Sequence, residues 1–209
     1  MSNDELIKLF PTPISILKYN KDITKELEYI ENGIKYFKME SDGNLRSTDS
    51  YLLEHNQLLD IRKFIEEGLD KFTTQVLSSK QKLKITQAWS SKNPKGSMVH
   101  EHIHSNSIVS GVFYFRVNGD QPPITFHKPQ YELVSMDYTD NNNFNSNAFK
   151  LRINAGELIV FPSQTRHSVS INKSDDIRIS LSFNSFSVDK LGTERLSNEL
   201  DLKKLMDKN

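Results

Sequence analysis

The sequence contains no cysteine. Disulfides, zinc knuckles and a cysteine nucleophile are therefore excluded, and histidine and the carboxylates remain as the strong metal ligands. It has no excess charge of either sign, since 27 Lys plus Arg balance 27 Asp plus Glu. No global positive field exists to gather nucleic acid, which argues against a nucleic-acid partner, although a local patch stays open. Long hydrophobic runs are missing too. The longest, Val112–Phe115 and Leu158–Phe161, span four residues, where a membrane-crossing helix needs about twenty. The opening MSNDELIKLF lacks the basic start and apolar stretch of a signal peptide, so a cytoplasmic location is expected. What is present is a globular balance, 36% hydrophobic and 26% charged over 209 residues, the size of one large domain or of one domain with extensions.

Two amphipathic helices are expected first. Ile23, Leu27, Ile30 and Ile34 fall on one helical face within about 22–36, with Asp22 as a candidate N-cap. Leu58, Ile61, Ile65, Leu69, Phe72 and Val76 keep the same rhythm within about 56–77, with Asn56 as a candidate cap. Gly68 costs that helix about 1 kcal/mol relative to Ala. From Lys84 the period changes to two. Strand-like runs at 84–90, 108–117, 123–127, 151–154, 157–161, 167–171 and 177–187 are separated by turn-forming clusters of Asn, Gly, Pro and Asp. Helices followed by closely spaced strands predict an α+β, mainly β fold, a barrel or sandwich backed by helices. Residues 132–149 are Asn-rich and acidic without Lys or Arg, which suits either a lid or a disordered insertion. The expected organisation is a single domain over 1–187 followed by a charged tail at 188–209. There Leu202, Leu205 and Met206 sit at helical spacing, and Leu196 and Leu200 could extend the same helix.

Alternation identifies a pocket face. In the last strand Ile177, Ile179, Leu181 and Phe183 point one way and Arg178, Ser180, Ser182 and Asn184 the other. In 108–117, Ser110, Val112, Tyr114 and Arg116 oppose Val109, Gly111, Phe113, Phe115 and Val117. With helices covering the outside, the apolar face meets them and the mixed face lines the interior. An ordinary solvent face remains acceptable for Ser182 and Asn184 taken alone.

Three of the six histidines, His100, His102 and His104, alternate in VHEHIH. Histidines at i and i+2 of a strand point into one space and can chelate one ion. A third ligand must come from elsewhere, and His167 in FPSQTRHSV is the candidate. A hydrogen-bonded or surface role is the commoner fate of a single histidine. It is assigned to His55, while His127 is left open. Eleven residues after His167, Arg178 offers a rigid fork for a carboxylate, and Ser180 faces the same way. A chelatable ion and a carboxylate clamp in one cavity suit a 2-oxo dicarboxylate.

The runs LFPTPI, Ala88-Trp89, HIHSNSIVSGVFYF, PITFHKP, GELIVFPSQTRHSV and RISLSFNSF resemble the 2-oxoglutarate and Fe(II)-dependent oxygenases, in particular an uncharacterised subgroup with H-x-H…SGVYY and FPS…H…RISISFN segments. The resemblance spans about Leu9–Phe186. It implies a double-stranded β-helix, a jelly-roll or cupin-like barrel. It implies a dioxygenase, an oxidoreductase that hydroxylates an unactivated C–H bond while 2-oxoglutarate is decarboxylated to succinate and CO2. The implied cofactors are Fe(II) and 2-oxoglutarate, and the partners are that small-molecule cosubstrate, dioxygen and a primary substrate that the sequence does not name. It implies His102 and His167 as iron ligands, Arg178 as the clamp for the distal carboxylate, Ser180 completing an R-x-S pair, and Tyr114 donating its hydroxyl to the same carboxylate.

One departure matters. The superfamily pattern H-x-D or H-x-E supplies a carboxylate ligand, and here the corresponding residue is His104. Glu101 is sent to the other face by alternation, so the metal set is His102, His104 and His167. A set that starts at His104, with Asn106 two residues on and no acid, remains open. A three-histidine site carries one less negative charge and should hold Fe(II) less tightly. The alternative is a cupin-type three-histidine metalloprotein, either an enzyme independent of 2-oxoglutarate or a metal-dependent binding module. Gly96 before His102-Ile103-His104, and Gly156 before Pro162 and His167, support it. Against it, the glutamate expected after His104 is absent, and Arg178 and Ser180 have no role. The oligomeric state stays open, with a homodimer among the alternatives.

Overall fold

The structure, a computed structural model, describes residues 6–128 and 136–206. The first periodic run makes α1 (Thr24–Glu28), extended by a π-wound turn at Tyr29–Gly33. Asp22 is not its cap: Ile23 takes that position with no side-chain cap bond, and Asp22 Oδ1 accepts the Thr24 amide at 3.1 Å from just before it. The second run makes a 3₁₀ turn at Asn56–Leu58, α2 (Leu59–Lys71) and a π-wound turn at Phe72–Val76. Asn56 does not cap it, because α2 begins three residues later with no side-chain cap. Its apolar stripe is buried as the periodicity requires, through Ile61, Ile65, Leu69 and Phe72. Gly68 has a packing reason. A Cβ there would come within 2.9 Å of Leu158 Cδ2, so its absence lets α2 lie directly on the sheet.

Eleven strands follow in chain order: β1 (Ser15–Lys18), β2 (Tyr36–Lys38), β3 (Leu45–Ser47), β4 (Leu83–Asn93), β5 (Val99–His102), β6 (Val109–Arg116), β7 (Ile124–His127), β8 (Ala148–Leu151), β9 (Glu157–Pro162), β10 (His167–Val169) and β11 (Arg178–Ser187). They form a seven-stranded sheet, β1-β9-β6-β11-β4-β3-β2, and a four-stranded sheet, β5-β10-β7-β8. All strand pairs are antiparallel. The architecture is the double-stranded β-helix, mainly β with few helices. β8 lies three residues earlier than its periodicity placed it. The short mixed segments SILK, YFK and LRS carry too little pattern to announce β1, β2 and β3.

Two apolar layers result. Between helices and large sheet lie Ile61, Ile65, Phe113, Leu158, Ile179, Leu181 and Phe183. Between the two sheets lie Val112, Tyr114, Ile124, Phe126, Ile159, Phe161 and Val169. The apolar face of β11 thus meets the helices, and Arg178 and Ser180 are buried on the inner side. Enclosing each large apolar side chain of β11 contributes about 1.5–3 kcal/mol. Where β6 meets β11, a Cβ at Gly111 would sit 2.4 Å from the Ile159 carbonyl oxygen and 2.5 Å from the Phe183 ring, so only glycine fits.

One residue departs from simple alternation. Ile179 pairs with Arg116 but Ser180 pairs with Tyr114, so β6 holds one extra residue at this point. Such a bulge reverses the facing of the residues beyond it. Arg116 therefore turns to the helix side, where its guanidinium grips both Glu31 carboxylate oxygens at 2.5 and 2.7 Å, instead of lining the interior with Tyr114. The chain after Asp189 also differs from a continuous helix. Leu191 and Leu200 form an antiparallel bridge around a 3₁₀ turn at Glu194–Leu196, and only Leu202–Met206 is helical, as α3. Of the 132–149 stretch, residues 132–135 lie outside the described residues. Turns held by Asn142 and Asn145 follow, and Ala148 and Phe149 open β8. Among the described residues, no helix is long and apolar enough to cross a membrane.

Candidate active site

His102 ends β5 and faces His167, the first residue of β10, as its direct cross-strand partner. Two residues further, the His104 amide donates to the Ser163 carbonyl at 2.9 Å, which returns its side chain to the same space. The imidazole centroids are 4.3 Å apart for His102–His167, 5.1 Å for His104–His167 and 5.3 Å for His102–His104. One nitrogen from each lies within 4.8 Å of the others, close enough to hold one metal ion.

Each ring is set by its other nitrogen. His102 Nδ1 bonds the His100 carbonyl at 2.8 Å, His104 Nδ1 the Asn184 Oδ1 at 2.6 Å, and His167 Nδ1 the Thr165 carbonyl at 2.9 Å. A proton on Nδ1 given to such an acceptor leaves the Nε2 lone pair free, the form a metal takes. Burial pushes His104 down to about 4 and His167 to about 3, with the neighbouring imidazoles adding to the effect. Both are therefore neutral at pH 7. Behind His104 runs a hydroxyl chain. Ser110 Oγ donates to Asn184 Oδ1 at 3.0 Å, and Ser163 Oγ lies 2.7 Å from both Ser110 and Ser107.

The remaining histidines lie elsewhere. His100 is exposed and bonds the Ser41 carbonyl. His55 joins Tyr29 to Asp49. His127 contacts Ser168 and lies 3.7 Å from Glu101, away from the triad. Glu101 also pairs with Arg166, so it occupies the opposite face of β5. Asn106 sits in a turn at φ 53°.

Arg178 and Tyr114 occupy the interior further along. Both are buried, the guanidinium carbon lies 4.9 Å over the Tyr114 ring, and Nη2 donates to the Tyr114 hydroxyl at 3.2 Å. Burial raises the Tyr114 pKa, with the Arg178 charge opposing it, so the phenol stays protonated. Among the described residues, Arg178 Nε and Nη1 are buried without a partner. A buried cation with unmet donors costs several kcal/mol unless an anion meets them. A cavity of about 100 Å³ opens beside them, lined by Tyr114, Arg178, Gln121, Ile124, Arg152 and Ile153. Ser180, one step along the same face of β11, is also buried. The polar row Arg178, Ser180, Ser182, Asn184 thus runs from the clamp to the imidazole that Asn184 orients.

Asn184 is the site residue that an ordinary solvent-face reading passes over. The alternation that places Arg178 inside places Asn184 inside as well. Arg46 carries no local signal, and Trp89 enters the sequence reading only through the Ala88-Trp89 run of the resemblance, without a role. Trp89 lies 5.7 Å from His104, with the Arg46 guanidinium 4.7 Å over the indole, because β3 and β4 carry them there.

Residues 87–184, which contain His102, His104, Tyr114, His167, Arg178 and Ser180, match the family described as "Putative 2OG-Fe(II) oxygenase". No curated protein matches the chain. Among solved structures, a prolyl hydroxylase from Trichoplax adhaerens in complex with a hypoxia-inducible-factor peptide fragment is similar at 12% identity and TM-score 0.60, covering 83% of each chain. A prolyl-4-hydroxylase from Pseudomonas putida is similar at 14% identity and TM-score 0.56, covering 84% of this chain and 94% of its own. HygX from Streptomyces hygroscopicus, solved with nickel, 2-oxoglutarate and hygromycin B, is similar at 8% identity and TM-score 0.57, covering 83% of this chain and 82% of its own. At these identities the likeness is one of fold.

Proposed function

Starting from the match of residues 87–184 to the family described as "Putative 2OG-Fe(II) oxygenase", we propose that this chain is a 2-oxoglutarate/Fe(II) oxygenase that hydroxylates a primary substrate using a metal held by His102, His104 and His167. The observation that carries the reading is a buried arginine with two unpartnered nitrogens in the same inter-sheet interior as three imidazoles preset to share one ion. The residues fit both groups. Three imidazole nitrogens suit a divalent first-row ion such as Fe(II). The free Arg178 nitrogens, the Ser180 hydroxyl and the Tyr114 hydroxyl suit the far carboxylate of 2-oxoglutarate. Fe(II) with 2-oxoglutarate supplies dioxygen-dependent oxidation of an unactivated C–H bond, and 2-oxoglutarate leaves as succinate and CO2.

The chain's own work is positional. Arg178 and Tyr114 fix one end of the cosubstrate and so orient the other toward the imidazoles. Asn184 and the Ser110–Ser163–Ser107 hydroxyls keep His104 in the tautomer that binds metal. Phe126 and Phe161, whose rings lie 6.0 and 5.0 Å from His167, exclude water from the reacting space. The third imidazole replaces a carboxylate, so all protein ligands are neutral and the bound ion keeps its full double charge. Weaker retention of Fe(II) follows.

The test is anaerobic titration of the Fe(II)-loaded protein with 2-oxoglutarate, watching for the visible charge-transfer band of the chelate. A saturable band that needs about ten- to hundredfold more 2-oxoglutarate in Arg178→Ala is expected. Tight metal binding without that band would replace the reading with a three-histidine metalloprotein that does not use 2-oxoglutarate.

A further inference from the structure

Arg46 stands apart from the other arginines near the site. Arg62, Arg116 and Arg166 each pair with a glutamate, and Arg178 bonds Tyr114. Arg46 is only partly exposed, and burial disfavours its charge. Among the described residues, no carboxylate lies within ion-pair distance of it and its guanidinium makes no hydrogen bond. A guanidinium has five N–H donors, so a half-buried one without acceptors is an unfinished contact. It is also held in place. Its central carbon lies 4.7 Å over the Trp89 ring, a cation–π contact that restricts the fork's orientation.

The location gives this a purpose. Trp89 is 5.7 Å from His104, so Arg46, Trp89 and the three-histidine group form one continuous line. Phe37 on β2 pairs directly with Arg46 on β3 and therefore shares its face, and it is 45% exposed. β2 and β3 end the seven-stranded sheet. The arrangement offers an exposed ring, a free fork, an indole and then the metal ligands. Arg178 is not part of this line, because it lies between the sheets beside Tyr114.

Resting on the function proposed above, we infer that Arg46 is a specificity residue that grips an oxyanion, a carboxylate or phosphate, on the primary substrate. Trp89 and Phe37 pack the substrate's apolar body. The substrate class is then an anionic molecule or side chain whose oxidised carbon lies a short apolar stretch from its charged group.

Trp89 is the only tryptophan, so its emission reports this place alone. The full chain is titrated with acetate and, separately, with inorganic phosphate, at ionic strength held constant with chloride. A saturable change in Trp89 emission is expected with at least one of the two anions, and the anion that saturates at lower concentration identifies the charged group. Arg46→Gln should weaken that response at least tenfold, while Arg46→Lys keeps part of it and Arg178→Gln keeps all of it. The Arg46→Gln protein should still show the 2-oxoglutarate band in the Fe(II) titration. No saturable change with either anion, or an equal response in Arg46→Gln, would overturn the inference. A response lost in Arg178→Gln but kept in Arg46→Gln would also overturn it by assigning the anion to the deeper clamp. Because the emission titration needs neither metal nor turnover, loss of the 2-oxoglutarate reading alone would leave this response in place.

Discussion

The two faces of β11 are both enclosed at its start, around Arg178–Leu181, and differ in what they leave unmet. Toward the helices, Ile179, Leu181 and Phe183 belong to the apolar core, with Lys92 and Arg116 beside Ile179, and these three side chains carry no polar atom to leave unmet. Toward the interior, Arg178 is 4% exposed, yet two of its nitrogens have no acceptor. Burial by itself therefore does not separate residues that hold the fold from residues that serve a ligand. Unmet hydrogen-bonding capacity does, because a buried donor without an acceptor is a standing cost that packing does not return.

That contrast can be broken most forcefully from the apolar side. Leu181→Asp places a carboxylate beside Phe113 in the fully buried helix-side core and should cost more than about 4 kcal/mol, leaving an unfolded chain by circular dichroism. A folded variant would mean that the faces are assigned backwards. Acid acts next, on the inner face's neighbours. His104 and His167 are neutral in the fold, with values of about 4 and about 3, whereas unfolded histidine titrates near 6.5. Below about 6.5 the unfolded chain binds more protons than the folded one, so the metal-free protein should lose stability as pH falls from about 6.5 through about 4 and about 3. The loss should reach several kcal/mol, read by urea denaturation at each pH. An unchanged midpoint between pH 7 and 4 would show that these imidazoles are not enclosed.

Smaller effects sharpen the contrast within the inner face. Arg178→Ala should leave metal binding intact and weaken 2-oxoglutarate by about 1.5–3 kcal/mol, measured by calorimetry on the Fe(II)-loaded protein. Equal affinity would remove the clamp. Asn184→Leu keeps the shape but removes the acceptor for His104 Nδ1. It should weaken metal binding about tenfold with little change in 2-oxoglutarate affinity measured at saturating metal. Unaltered metal affinity would show that His104 needs no fixed tautomer.

What could be read from the chain follows from how locally each feature is encoded. The α2 stripe and the alternation in β11 are written in consecutive residues, so both layers could be inferred before any coordinates. The join between His102 and His167 was readable because histidine is conspicuous and its spacing suits chelation. Arg116 was not, since a bulge depends on how β6 meets β11 and leaves no mark in RVNGD. Asn56 failed as a cap for a similar reason, because the packing of Leu58 allowed a 3₁₀ turn before the helix proper. Arg46 and Trp89 are 43 residues apart in the chain and meet through pairing of a three-residue strand that carries no periodicity.

The extra residue in β6 has a consequence for chemical selectivity. In an unbroken ladder the guanidinium after Tyr114 would follow it inward and stand beside Arg178, and two like charges would compete for one small acid or repel each other out of register. Shifted by a single position, the same side chain instead straps the Tyr29–Gly33 turn through Glu31, and Arg178 is left without that second cation at its side.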